Sequence, residues 1–409
     1  RRTVSEYLYL TRDAGTTCID CQATAIKNAT VINFVGERFL QEVVDDYFLD
    51  REIIPASVRQ EVKEKYSAGT AWAILNAPSA SMCPENCAYL VKKFGPDDDV
   101  IEAKKDNLLE FQRRTGLNAN PEAILFYWPS RLDPFQKGVE LLERIALPFV
   151  RKYQDAQIAI IADDIGENNR YGGILGGLAM ASEGRIAYQP YSEELSLLGY
   201  GAANDVFGAS LYEPCGQIDQ IGNLFGATAT NRDTGGYHDK IRELRLKVHG
   251  APQDVGNGFL FRDFDSGGLW YGLERSLAFH RLSPELREGQ IKRIMKEARE
   301  KYQNIKVYTS SYTSSDRAVT DMEKEGLVKV ITDKKGIILG AHIVGANAGE
   351  IIQGFIIAKS LRTPLNKMAQ MLFIYPTLSE LIKKTAAKSF IEKANNPLVK
   401  FLIKLMKAI

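Results

Sequence analysis

Short runs of consecutive apolar residues recur along the middle of this chain: AILFYW at 123–128, QIAIIA at 157–162, and further runs at 186–189, 206–210 and 227–231. Segments with helical spacing separate them. A strand that is apolar on both faces has to be covered on both faces, which is the situation of a parallel sheet sandwiched between helices. This constrains the region to a doubly wound α/β layer. Ligands of such sheets settle beyond the carboxyl ends of the strands. SRLDPFQKG at 130–138 follows the first run and LYEPCGQIDQ at 211–220 the fourth, so both are expected on that rim. The helix after 138 is expected to turn Val139, Leu142, Ala146, Phe149 and Val150 inward.

The 409 residues are enough for two to three domains. Basic and acidic residues balance, 52 against 51, so no nucleic-acid partner is implied. No run reaches the roughly 18 apolar residues of a membrane span, and no signal-peptide pattern opens the chain. A cytoplasmic location is the default expectation. The first residue, Arg1, reads as a cut or incomplete start. Five cysteines are an odd number and argue against a disulfide framework. Cys18 and Cys21 form a C-x-x-C, and Cys83 and Cys87 a C-x3-C. Their separation favours reduced thiols over four converging zinc ligands. No metal site is expected: Asp163–Asp164 is no metal motif, and Asp265 in the D-x-D at 263–265 reads as a helix cap.

Residues 211–236 combine three features suited to a sugar nucleotide. They are a carboxylate at a strand end (Glu213), a Pro-Cys-Gly turn opening a helix (214–216), and a Thr-Gly-Gly loop after the next strand (234–236). A helix start offers unpaired N–H groups to a diphosphate, and a carboxylate accepts from sugar hydroxyls. EPCGQIDQ, SRLDPFQKG and GNGFLFRDFD at 256–265 resemble the glycogen/starch synthase group of retaining GT-B glycosyltransferases, over about 29–302. The resemblance implies a Rossmann-like nucleotide-sugar domain with ADP-glucose or UDP-glucose as donor, an α-glucan as acceptor and no cofactor.

Metal-free transfer needs cations for the leaving diphosphate. The resemblance gives Arg131 and Lys137 this role and sets Glu213 against the hexose. The bland alternatives are a solvated basic loop and a helix-dipole carboxylate. Gly216, Gln217, Ile218, Asp219, Thr234, Gly235 and Gly236 fall in the donor-binding segments. Two departures stand out. The bacterial family often has one residue fewer between the positions of Arg131 and Lys137, so Pro134 and Phe135 either bulge outward or shift Lys137. Gln217, Ile218 and Asp219 replace the usual Leu-Thr-Gln or Leu-Ile-Gln, and Asp219 is expected to bring a charge near the ribose. The glycines between 172 and 177 read as small-residue packing. The family's acceptor-side domain carries a glycine-rich lysine loop and a histidine that this sequence does not match. Donor binding without turnover is therefore expected.

After 301 the pattern changes to two β-rich runs around a Lys-Lys-Gly turn, then helical patterns at 348–360 and 377–389, an α+β arrangement. Asp316–Ala318, 326–350 and YPTLSE at 375–380 resemble the dimerisation domain of flavin-dependent pyridine nucleotide-disulfide oxidoreductases, over about 297–390. Tyr375 in place of histidine resembles the mercuric-reductase branch. The resemblance implies a homodimer through 302–409; FAD is not expected. The expected division is a remnant of an acceptor-side domain (1–66), a nucleotide-sugar domain (67–301), a dimerisation domain (302–390) and an amphipathic helix (391–409). The helix MKEAREKY suits either family, which points to a splice, whether a recombined gene or an assembly error. A dimerising oxidoreductase fragment and a non-catalytic chimera remain the alternatives.

Overall fold

The computed structural model describes residues 4–13, 15–48, 53–79, 81–165, 169–245, 255–302 and 305–394. Arg1–Glu300 forms one unit and Lys301–Ile409 another.

The first unit opens with α1 (Val4–Tyr7), the hairpin β1 (Leu10–Asp13) and β2 (Thr16–Ile19), and α2 (Cys21–Asn28). β3 (Ile32–Phe34), α3 (Glu37–Val44), α4 (Ala56–Ser67) and β4 (Ala71–Ala73) follow, with β3 and β4 paired in parallel. Val58 and Val62 are buried as their helical spacing requires, but Tyr66 is exposed and its hydroxyl donates to Gln41. The apolar run at 71–78 is shorter as a strand than its composition implies. It pairs over three residues only, and Trp72 and Ile74 remain exposed.

α5 (Val100–Thr115) leads into the main layer. There β5 (Ile124–Trp128), α6 (Val139–Lys152), β6 (Ala156–Ile161), α7 (Arg170–Ala181), β7 (Ile186–Gln189), α8 (Glu193–Ala202) and β8 (Asp205–Gly208) alternate. α9 (Ile218–Leu224), β9 (Thr228–Arg232), α10 (Gly235–Lys240), β10 (Gly258–Phe261), α11 (Ser266–His280) and α12 (Pro284–Tyr302) complete it. The six strands are all parallel, in the order β10-β9-β8-β5-β6-β7. Every residue of β5, β6, β8 and β9 is buried, in β5 and β6 as their apolar runs require, and in β8 and β9 with polar Asp205, Thr228, Thr230, Asn231 and Arg232 among them.

Phe126, Trp128, Phe149 and Phe207 meet edge to face in the core, each side chain contributing roughly 2 kcal/mol by burial. The five expected inward residues of α6 are buried. Asp265 caps α11 by accepting from the Gly268 N–H. Of the four α7 glycines only Gly172 meets the packing expectation, a Cβ there falling 2.8 Å from Asn169 Oδ1 and the Tyr188 hydroxyl, while one on Gly173, Gly176 or Gly177 would meet nothing within 4 Å. β5 starts the winding; β6 and β7 extend it one way, and the chain returns to lay β8 against the other side of β5. That reversal opens the rim between β5 and β8, where doubly wound sheets bind ligands.

The second unit holds an antiparallel sheet of β11 (Ile305–Ser311), β12 (Leu327–Asp333) and β13 (Ile338–Val344), order β11-β12-β13. α13 (Asp316–Thr320), α14 (Ala348–Ser360), α15 (Leu365–Met368) and α16 (Glu380–Ala394) pack with it. Val328, Val330, Phe355, Leu381 and Ile382 lie in its core. The expected helix at 391–409 lies, from 395 on, outside the described residues. Among the described residues no helix is long and apolar enough to cross a membrane.

Candidate functional site

The loop after β5 and the loop after β8 meet at the rim. The Leu211 N–H donates to Gln136 O at 2.7 Å, and the Gln136 side-chain amide donates to Tyr212 O. Gly138 starts α6 with φ +68°, and a Cβ there would stand 2.3 Å from Ala209 O. Only glycine lets the two strand ends approach this closely. The longer first loop takes the outward course at Phe135. Asp133 Oδ1 accepts from the Phe135 and Gln136 N–H groups, closing the backbone, while Phe135 is 83% exposed.

Lys137 keeps its place at the rim. Its Nζ lies 2.6 Å from Glu213 Oε2, with the two side chains 11% and 7% exposed. Ser210 Oγ donates to the same oxygen at 3.0 Å and is also bonded to the Tyr237 hydroxyl, which burial holds well above its ordinary pKa. Arg131 stands exposed on the same loop, close enough to Tyr212 for its charge to be felt there. Gly216 and Ile218 are half-buried and Gln217 is exposed. These six candidates form one neighbourhood.

The other four face inward. Asp219 does not reach toward a ribose: it is 1% exposed, 2.9 Å from Lys240 Nζ, whose own side chain is fully buried. Lys240 also donates to Gly216 O. Burial pushes the Asp219 carboxyl up, and Lys240 opposes the shift. The Thr234–Gly236 loop is likewise committed to the protein. Thr234 Oγ1 and the Gly235 N–H donate to the Glu42 carboxylate at 3.1 Å, and the Gly236 N–H donates to Glu213 O at 2.8 Å. Gly235 has φ +44°, and a Cβ would fall 1.9 Å from Glu213 O.

Glu42 is a residue that sequence reasoning missed. It sits on α3 among buried Phe39, Leu40 and Val43 and is itself 2% exposed. An acid on the apolar face of a helix was the available signal, since a buried carboxylate needs donors. Here it caps α10, and Asp239 of α10 in turn accepts from the Arg38 N–H in the first turn of α3. Each helix caps the other. Arg232 was also missed: it donates to Leu211 O and to the Tyr47 hydroxyl from beneath the rim. His238 is half exposed and bonded to Asp233 at 2.6 Å. Among the described residues no group of three His, Cys, Asp or Glu side chains could hold a metal. Cys83, Cys87 and Cys215 are buried, and Cys21 is exposed. In the second unit, the Tyr375 hydroxyl donates to Asp316 at 3.0 Å.

Comparison with known proteins divides along the same line. Residues 295–386 match the family described as pyridine nucleotide-disulphide oxidoreductase, dimerisation domain. A dihydrolipoyl dehydrogenase of Rhizobium etli is 39% identical over 94 residues, 23% of this chain and 20% of that protein. A glycogen synthase of Histophilus somni is 32% identical over 216 residues, 52% of this chain and 43% of that protein. The chain thus spans less than half of either relative. Among solved structures, the catalytic domain of starch synthase IV from Arabidopsis thaliana, bound to ADP and acarbose, superposes with a TM-score of 0.58. That match covers 69% of this chain and 55% of the other at 23% identity, and it speaks for the fold. One polypeptide here joins a segment of GT-B fold similar to glycogen and starch synthases to a segment similar to the dimerisation domain of the disulphide oxidoreductases.

Proposed function

We propose that the first unit binds a nucleoside-diphosphate glucose, ADP-glucose or UDP-glucose, in the manner of a retaining glycogen or starch synthase. The observation that carries this reading is the meeting of Lys137 and Glu213 at 2.6 Å on the rim between β5 and β8, beside exposed Arg131. The cations would neutralise the leaving diphosphate, while Glu213 accepts hydrogen bonds from the hexose. Gly216, Gln217 and Ile218 supply the backbone alongside. Asp219, Thr234, Gly235 and Gly236 serve the same site by bracing it.

Transfer to an α-glucan needs a second domain closing over the donor and excluding water, so these residues bind donor and turn over only when such a domain is supplied. We read residues 1–66 as related to such an acceptor-side domain, with α3 held to the donor side through Glu42 and Asp239. An apolar cavity of about 440 Å³ in this segment is lined by Ile32, Phe34, Phe39, Val58, Val62 and Pro214. The site is tested by calorimetric titration with both sugar nucleotides. Binding abolished by Arg131→Ala and by Glu213→Ala is the expected result; heat-silent wild-type protein refutes it.

For the second unit we read homodimerisation through 302–409. Val344, Ile357, Leu361 and Leu372 are between 59% and 92% exposed, an apolar surface that calls for a partner. Sedimentation should give a dimer that Ile357→Glu with Leu372→Glu converts to monomer. Flavin absorbance in the purified protein would instead favour an oxidoreductase role.

A further inference from the structure

Lys137 already has a partner. Its ammonium and Glu213 Oε2 are in contact with both side chains nearly enclosed, and Ser210 is the other donor to that oxygen. Charges this enclosed are tolerated together, and separating them leaves one uncompensated. Resting on the donor-site reading above, we infer that the Lys137–Glu213 pair is a latch that makes the site prefer an intact nucleotide sugar over the nucleoside diphosphate left after transfer.

A diphosphate arriving at the rim meets exposed Arg131 first and then competes for the Lys137 ammonium. Drawing that ammonium away strips Glu213 of its cation. When a hexose follows the diphosphate, its hydroxyls donate to Glu213, and both former partners are satisfied again. When no hexose follows, Glu213 keeps the single Ser210 hydroxyl, and the diphosphate bears the cost of an unpaired enclosed carboxylate. The same two residues therefore couple phosphate recognition to sugar recognition. Once the hexose has left, Glu213 recaptures Lys137, and the diphosphate is expelled.

The test is a titration of wild type, Glu213→Gln and Lys137→Met/Glu213→Gln with ADP, UDP and the two glucose conjugates. Glutamine keeps an acceptor for Ser210 and removes the charge that holds Lys137. The latch requires Glu213→Gln to bind the nucleoside diphosphate about tenfold more tightly than wild type, the equivalent of roughly 1.4 kcal/mol. The gain must vanish in the double variant. The preference for the conjugate over the diphosphate must fall in Glu213→Gln. A folded Glu213→Gln, verified by its melting curve, that binds diphosphate no better than wild type overturns the latch while leaving the donor site standing. Wild type that binds neither ligand removes the site itself. Should the glutamine variant fail to fold, Glu213→Asp serves: it retracts the carboxylate by one methylene, and unchanged diphosphate affinity there is equally adverse.

Discussion

Replacing Lys240 by methionine tests the interior support of the rim. In the native protein the Lys240–Asp219 pair is 2.9 Å apart, with side-chain exposures of 0% and 1%, and Lys240 also holds Gly216 O. Asp219 Oδ2 has no hydrogen-bond partner, so once the ammonium is gone only the backbone N–H groups of Asp219 and Gln220 support the carboxylate. Breaking one side of a buried pair costs about 4 kcal/mol. The first unit comprises roughly 300 residues, and at about 2.1 cal/mol/K per residue its unfolding entropy is about 0.6 kcal/mol/K. The expected drop in melting temperature is therefore about 6 °C.

A pH signature accompanies it. Burial already raises the Asp219 pKa above its unfolded value of 3.8, and losing Lys240 raises it further. A carboxyl with a raised folded pKa contributes stability that is present below the unfolded pKa and lost as pH rises through the folded one. The deficit of Lys240→Met should thus be largest at neutral pH and shrink toward pH 4. Asp219→Asn added to Lys240→Met should recover more than half of it, since a neutral pair strands no charge. Differential scanning calorimetry at pH 7 and pH 5 reads all three. A Lys240→Met protein melting within about 1 °C of wild type at pH 7, or a deficit that grows on acidification, refutes the reasoning.

Three further expectations follow. Glu42→Ala leaves the Gly235 N–H buried without an acceptor, costing about 2 kcal/mol and weakening sugar-nucleotide binding, whereas Glu42→Gln keeps one acceptor and should lose about half as much; urea unfolding decides. Asp205 accepts from Thr228, Thr230 and Ser276, and burial raises its pKa to about 7. Its contribution fades as pH climbs from 4 to 7, so the stability of Asp205→Asn relative to wild type should increase over that window. Gly235→Ala should abolish donor binding because its Cβ would collide with Glu213 O, while Gly173→Ala, with nothing within 4 Å, should stabilise α7 by up to about 1 kcal/mol; paired melts and titrations check both.

The parallel sheet was legible because β5 and β6 at its centre are apolar on both faces, a pattern that depends on composition alone. β7 falls at the expected 186–189, and β5 and β6 within a residue of expectation. β11 was less visible: its Tyr308 and Ser310 face inward while Val307 stays exposed, so hydropathy alternates the wrong way. The site was legible as motifs and illegible as orientation. Nothing in the spacing of Asp219 announces Lys240, 21 residues on, and Glu42 contacts Gly235 across 193 residues. Such pairings are set by how α3 and α10 pack, which a single sequence does not encode locally. The strand at 71–78 was overread for the converse reason, since its composition is apolar but its one partner is three residues long.

The mutual capping of α3 and α10 has a mechanical consequence. With Glu42 seated on one helix start and Asp239 on the other, neither helix can pivot without uncovering both ends. Residues 37–44 precede the main sheet in the chain by eighty positions, yet they must move as part of it. Any hinge in the first unit has to bend elsewhere, and this clasp rides along undisturbed.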